Sequence, residues 1–183
     1  MRNIGPAASF LLAALLLVLV PPLAGQEPPP TPPAAQTGPP ESFVLIKTIT
    51  QAGSAAWTDT GLQVKLGDEF YFEAEGSICI QKNNPVATCG PEGLALRTMQ
   101  QPLPDKNLGS LIGMVVFRVD VIEDKQTKEK TERRYGERFA IGKGVLASMP
   151  EEGKLMLGVN ENITGDNTGE FVVRIYRKPP PRG

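Results

Sequence analysis

The chain contains no histidine. That absence removes the usual general base, the Ser-His-Asp and Cys-His nucleophile systems and the commonest transition-metal ligand. Paired-carboxylate chemistry stays open, but no such pair can be located from spacing alone. Cysteine is scarce, with Cys79 and Cys89 the only two, and without histidine they make no zinc site. Tryptophan occurs once, at Trp57. No charge of one sign dominates: the net charge is −1, so nothing points to nucleic acid. Long apolar runs are absent after residue 20, so no later stretch could span a membrane.

What is present begins with Arg2, the 14-residue apolar run Ala7 to Val20, and small residues after it. This reads as a secretory signal peptide over residues 1–25, cut near Ala24 or Gly25. The run is shorter than the roughly 20 residues of a membrane span, which argues against the competing reading of an uncleaved anchor. The mature chain is thus expected to be exported, periplasmic or extracellular. In such a compartment Cys79 and Cys89 are expected to form a disulfide closing one Pro/Asn-rich loop.

Residues 26–42 are Pro-rich and hold almost no large apolar residue, as expected of an extended linker. Residues 178–183 form a similar tail. Between them, residues 43–177 have the length of one domain. Short alternating segments fill it: SFVLIKTI, GLQVKL, EFYFEAEG, SLIGMVVFRVDVI, ERFAIG, GKLMLGVN and EFVVRIY. They are separated by Gly-rich turns, with Gly113 as a possible bulge, and no helix stands out. This is the pattern of an all-β sandwich or barrel. The charged run Glu123 to Arg138 fits a solvated hairpin tip or loop better than a helix or a basic patch.

Three constellations carry functional readings. Trp57, beside Thr58, Asp59 and Thr60, offers either a sugar-stacking platform or, as preferred here, a core cap followed by a turn into the strand. Cys79 to Asp105 reads as one long functional loop. The third is Gly158 to Ile175, in which Asn160, Glu161, Asn162, Thr164, Asp166, Asn167 and Thr168 crowd ahead of a strand. Such residues make turns. They also supply the hard oxygens that calcium takes. The spacing is not that of an EF-hand, and both readings stand on composition. Asn162-Ile163-Thr164 also matches the N-glycosylation pattern.

Taken in order, WTDTGLQVKLGDEFYFEAEGSI, CGPEG, LGSLIG and GKLMLGVNENITGDNTGEFVVRI resemble the bacterial galactophilic lectin of the PA-IL type and its galactose-binding-like relatives. The resemblance implies a jelly-roll-type, galactose-binding-like β-sandwich. It implies a calcium ion held by Ile80 through its backbone carbonyl and by Glu161, Thr164, Asp166 and Asn167. Two hydroxyls of a galactose-type sugar would complete the coordination, with Arg97 and Gln100 as sugar contacts. Glu161 stands where the family has Asp, and Arg97 where it has His. The calcium loop is shorter than in the lectin, and the charged run Glu123 to Arg138 has no counterpart. The expected function is an exported, non-catalytic carbohydrate-binding module. The competing reading is a protein-interaction or envelope scaffold without an ion. The sequence does not fix the oligomeric state.

Overall fold

The computed structural model describes residues 38–179. The expected signal peptide, most of the Pro-rich linker and most of the C-terminal tail lie outside the described residues. The described chain forms nine strands in two antiparallel sheets: β1 Val44–Ala52, β2 Trp57–Val64, β3 Glu69–Cys79, β4 Thr88–Cys89, β5 Leu111–Glu123, β6 Lys130–Ala140, β7 Gly144–Ser148, β8 Gly153–Val159 and β9 Thr168–Arg177. The first sheet runs β1-β9-β3, with β4 and β7 both paired to β3; the second runs β2-β8-β5-β6. This is the all-β sandwich expected from the alternating segments. The only helical turn among the described residues is a short 3-10 turn at Pro85–Ala87.

The alternation in sequence becomes two packed inner faces. Phe70, Phe72, Ala74 and Ile78 of β3 meet Phe171, Val173 and Ile175 of β9 on one side. Leu111 and Val115 of β5 and Leu155, Leu157 and Val159 of β8 form the other side, all buried. Glu73 and Glu75 take the outer face of β3 and pair with Arg174 of β9 at 3.6 and 2.6 Å. Where the inner face crowds, glycine makes room. A Cβ on Gly113 would sit 2.3 Å from the Phe139 ring carbon Cζ. Gly113 is therefore a packing position rather than the expected bulge, which instead falls at Phe117, between Val116 and Arg118.

Trp57 does not cap the main core. It lies half-buried on the outer face of the second sheet, against Met114, Val116 and Met156, and directly opposite Gly158. Asp59, Thr60 and Gly61 make a bulge inside β2 rather than a turn before it. The Gly61 N–H donates to Asp59 Oδ1 at 2.8 Å, and Thr60 Oγ1 donates to the Leu155 carbonyl at 2.6 Å. The charged run divides into the expected solvated tip and a stretch of strand that was not expected. Asp124 to Glu129 is a solvated tip, while Lys130 to Arg138 is regular strand paired to β5.

The expected disulfide is not formed: both cysteines are free thiols. The β3–β4 register gives the reason. Cys89 lies opposite Ile78, and Cys79 opposite Thr88. Residues directly opposite share a face, and successive residues alternate, so the two sulfurs point to opposite faces of the sheet. Cys89 is buried with Ile78 in the core, and its thiol is pushed up to about 11, chiefly by burial and then by Glu92 and Glu161. Cys79 faces the other way and donates to the carbonyls of Gln81 and Asn84.

Candidate functional site

The long connection from β4 to β5 is held by buried amides in place of a disulfide. Asn160, the residue just after β8, is fully buried. Its Oδ1 accepts from the Leu103 N–H at 2.8 Å, and its Nδ2 donates to the carbonyls of Leu103 and Asn107 at 3.0 and 3.1 Å. Gln101 is also buried and donates to the Leu103 and Lys106 carbonyls. A bridge between Leu94 and Leu108 closes the base of the loop. These contacts set the loop against the segment after β8, and the two together form one end of the sandwich.

That segment is the oxygen-rich stretch Glu161 to Asn167. The Asn167 N–H donates to the Thr164 carbonyl at 3.1 Å, which folds the stretch back on itself. Asn167 is buried, and its Nδ2 donates both to the Gly53 carbonyl at 3.1 Å and to Glu161 Oε2 at 2.6 Å. Its amide oxygen is buried with no hydrogen-bond partner. Such a group is costly to leave bare. Glu161 is half-buried. Burial, and secondarily the Asp166 charge, raise its pKa above the usual carboxylate value, against the pull of the Asn167 amide.

Glu161, Asp166 and Ile80 line one depression of about 470 Å³. Apart from Gln81, its remaining wall is apolar: Val86, Ala87, Leu94, Leu96, Leu108 and Ile163. Val86, Leu96 and Ile163 are exposed at its rim. Thr164 is buried beneath the same stretch. Arg97 does not join this group; it lines a separate depression of about 290 Å³ with Glu92, Asp105 and Lys106. Gln100 is exposed, and its backbone carbonyl accepts from the Asn162 amide. Asn160 and the neighbouring Gln101 were not among the expected site residues. Their partners are backbone groups, which leave no mark in a motif.

A further depression of about 290 Å³ lies on the outer face of the second sheet. Its charges are already paired, Lys154 with Asp59 at 3.0 Å, Arg134 with Glu132 at 2.9 Å and Arg118 with Asp120 outside it at 3.4 Å. The Glu161 depression differs in setting two carboxylates against a largely apolar wall, with the bare amide oxygen belonging to Asn167, which is hydrogen-bonded to Glu161. Among the described residues no three acidic, cysteine or histidine side chains gather to hold a metal. A cation there would rely on amide, hydroxyl and backbone oxygens beside Glu161 and Asp166. These are hard donors of the kind calcium takes, and the unpartnered Asn167 oxygen fits such a use.

The architecture is that of a two-sheet antiparallel β-sandwich. Among solved structures the chain is similar to the EclA N-terminal domain, described as a PllA-like lectin, with a TM-score of 0.51 and 22% identity. The match covers 75% of this chain and 99% of that domain, and at this identity it establishes the shared fold. No protein-family model matches the sequence, and no curated protein gives a significant match.

Proposed function

We propose that this protein is an exported, non-catalytic carbohydrate-binding module, and that the depression at Glu161 and Asp166 is its sugar site. The observation that carries the reading is the meeting of polar oxygens and apolar wall in one open concavity. A sugar presents hydroxyls on its edges and C–H groups on its faces, so it suits a site of this mixed kind. Val86, Leu96 and Ile163 would pack against a C–H face. The lectin fold of the similar structure supports the class of ligand.

The finer reading follows the same residues. Glu161, Thr164, Asp166, Asn167 and the Ile80 carbonyl would hold a calcium ion, which supplies the coordination that fixes two sugar hydroxyls. Without a cation, the Glu161 carboxylate is partly desolvated, lies near the Asp166 charge and is held by the Asn167 amide. A cation would relieve both the repulsion and the bare amide oxygen. Gln100, on the exposed loop that follows Leu96, would contact a galactose-type sugar, whereas Arg97 faces the separate depression with Glu92 and Asp105. Hydrophobic residues 7–20 support export through a signal peptide.

Thermal melting in calcium and in chelator tests the ion. A ligand bound to the folded state alone must raise its melting temperature, by about 2.7 kcal/mol of added stability at a hundredfold excess over the dissociation constant. Asp166→Ala, at an exposed position, should abolish the shift while leaving the melt in chelator intact. Identical wild-type melts in both buffers would remove calcium from the account. Loss of galactoside binding as well would leave the interaction-scaffold reading in its place.

A further inference from the structure

Among the described residues, strand β6 is the outer strand of the second sheet and pairs only with β5. β5 leaves its other neighbour early, since its register with β8 ends at Val116 opposite Lys154. From Arg118 outward, β5 and β6 therefore continue as a two-stranded ribbon with Val119, Val121 and Ile122 exposed. An isolated ribbon is marginal on its own, and a long free edge is a template for another strand.

The residues on that edge read Glu132-Arg133-Arg134-Tyr135-Gly136-Glu137-Arg138. If two copies pair antiparallel about a two-fold axis at Tyr135, Glu132, which also pairs with Arg134 of its own strand at 2.9 Å, faces Arg138, and Arg133 faces Glu137. Arg134 faces Gly136. The two-fold repeats each pair, so both faces of the joined sheet carry opposite charges across the seam. Neighbouring registers fail. Moving the axis half a residue sets Glu132 on Glu137 or Arg133 on Arg138. Moving it a full residue sets Arg134 on its own copy or on Arg138. Charges on an edge usually repel any incoming strand; here they repel every nearby register except one.

We propose that β6 pairs edge to edge with β6 of a second copy of this chain, with Tyr135 on the two-fold axis. The occupant is argued from charge: the edge is complementary to itself in a single register. The added strand also supports the ribbon, since each sheet then continues into its partner. Such a dimer carries two copies of the Glu161 depression, a consequence that rests on the carbohydrate reading, whereas the pairing itself does not.

Sedimentation analysis of the purified protein, from about 1 to about 100 µM, tests the pairing. The wild type should sediment as a concentration-dependent dimer. Glu132→Arg and Arg138→Glu should each weaken dimerisation about tenfold or more, because each turns two attractive pairs into repulsive ones. The double variant Glu132→Arg with Arg138→Glu restores opposite charges and should recover the affinity to within about threefold. Both positions are exposed, so the melting curves should stay close to wild type. A wild type that stays monomeric, a dimer indifferent to Glu132→Arg, or single losses that the double variant fails to rescue would each overturn the proposal.

Discussion

Replacing Asn160 should loosen the wall of the candidate site from within. Asn160→Ala removes three hydrogen bonds to the β4–β5 connection, at 2.8, 3.0 and 3.1 Å. The losses are unequal. The Leu103 carbonyl keeps Gln101 Nε2, and the Asn107 carbonyl keeps Ser110 Oγ at 2.8 Å. The Leu103 N–H is left with no side-chain partner in a half-buried position. At about 1 kcal/mol for each net bond, the expected cost is about 2–3 kcal/mol. For a domain of this size that lowers the melting temperature by roughly 6–12 °C. Asn160→Asp is the sharper test. It keeps the shape but turns a carboxylate oxygen toward two carbonyls, so at neutral pH it should cost more than Ala. The excess should shrink in acid, as the carboxyl gains a proton to donate. Urea denaturation with limited proteolysis of residues 97–109 measures both effects. An Asn160→Ala cost below about 0.5 kcal/mol, or an Asp variant milder than Ala, would refute the reasoning.

Thiol labelling of the native protein should modify Cys79 readily and Cys89 only on unfolding, and the intact mass should be unchanged by reductant; a mass gain of two hydrogens on reduction would contradict the strand register. Trp57→Ala should cost about 1–2 kcal/mol, below the 3–5 of a fully buried tryptophan, because the indole packs on an outer face; a cost in the upper range by chemical denaturation would place it in the main core. Glu161 holds its proton more tightly folded than unfolded, so its contribution to stability is present below pH 4.5 and is lost as pH rises through the raised value. Glu161→Gln in chelator should therefore be more stable than wild type near neutral pH, with no such gain in acid; parallel melting curves from about pH 4 to about pH 8 would refute this.

The strands that alternate over several residues could be read directly, because burial of one face leaves a period of two. β7 could not. Its five residues, Gly144 to Ser148, are held by pairing with Glu69 to Glu73 far away in the chain. The disulfide expectation failed for a related reason. Sequence spacing shows how far apart two cysteines are, but a single step of register decides which face each one takes. Glu161 and Asn167 could be paired from the sequence because one short loop holds both. The place of Ile80 beside them is set by the sandwich and came only through resemblance. Asn160 and Gln101 left no readable signal as loop anchors, since their partners are carbonyls and N–H groups that any residue carries.

The most direct test of the sugar site is a glycan array probed with the wild type and with Asp166→Ala, each in calcium and in chelator. The account predicts that the wild type in calcium is retained on galactose-terminated glycans, and that retention is lost in chelator and in Asp166→Ala. Wild-type protein that binds no glycan in either buffer, or Asp166→Ala binding as well as wild type, would contradict it.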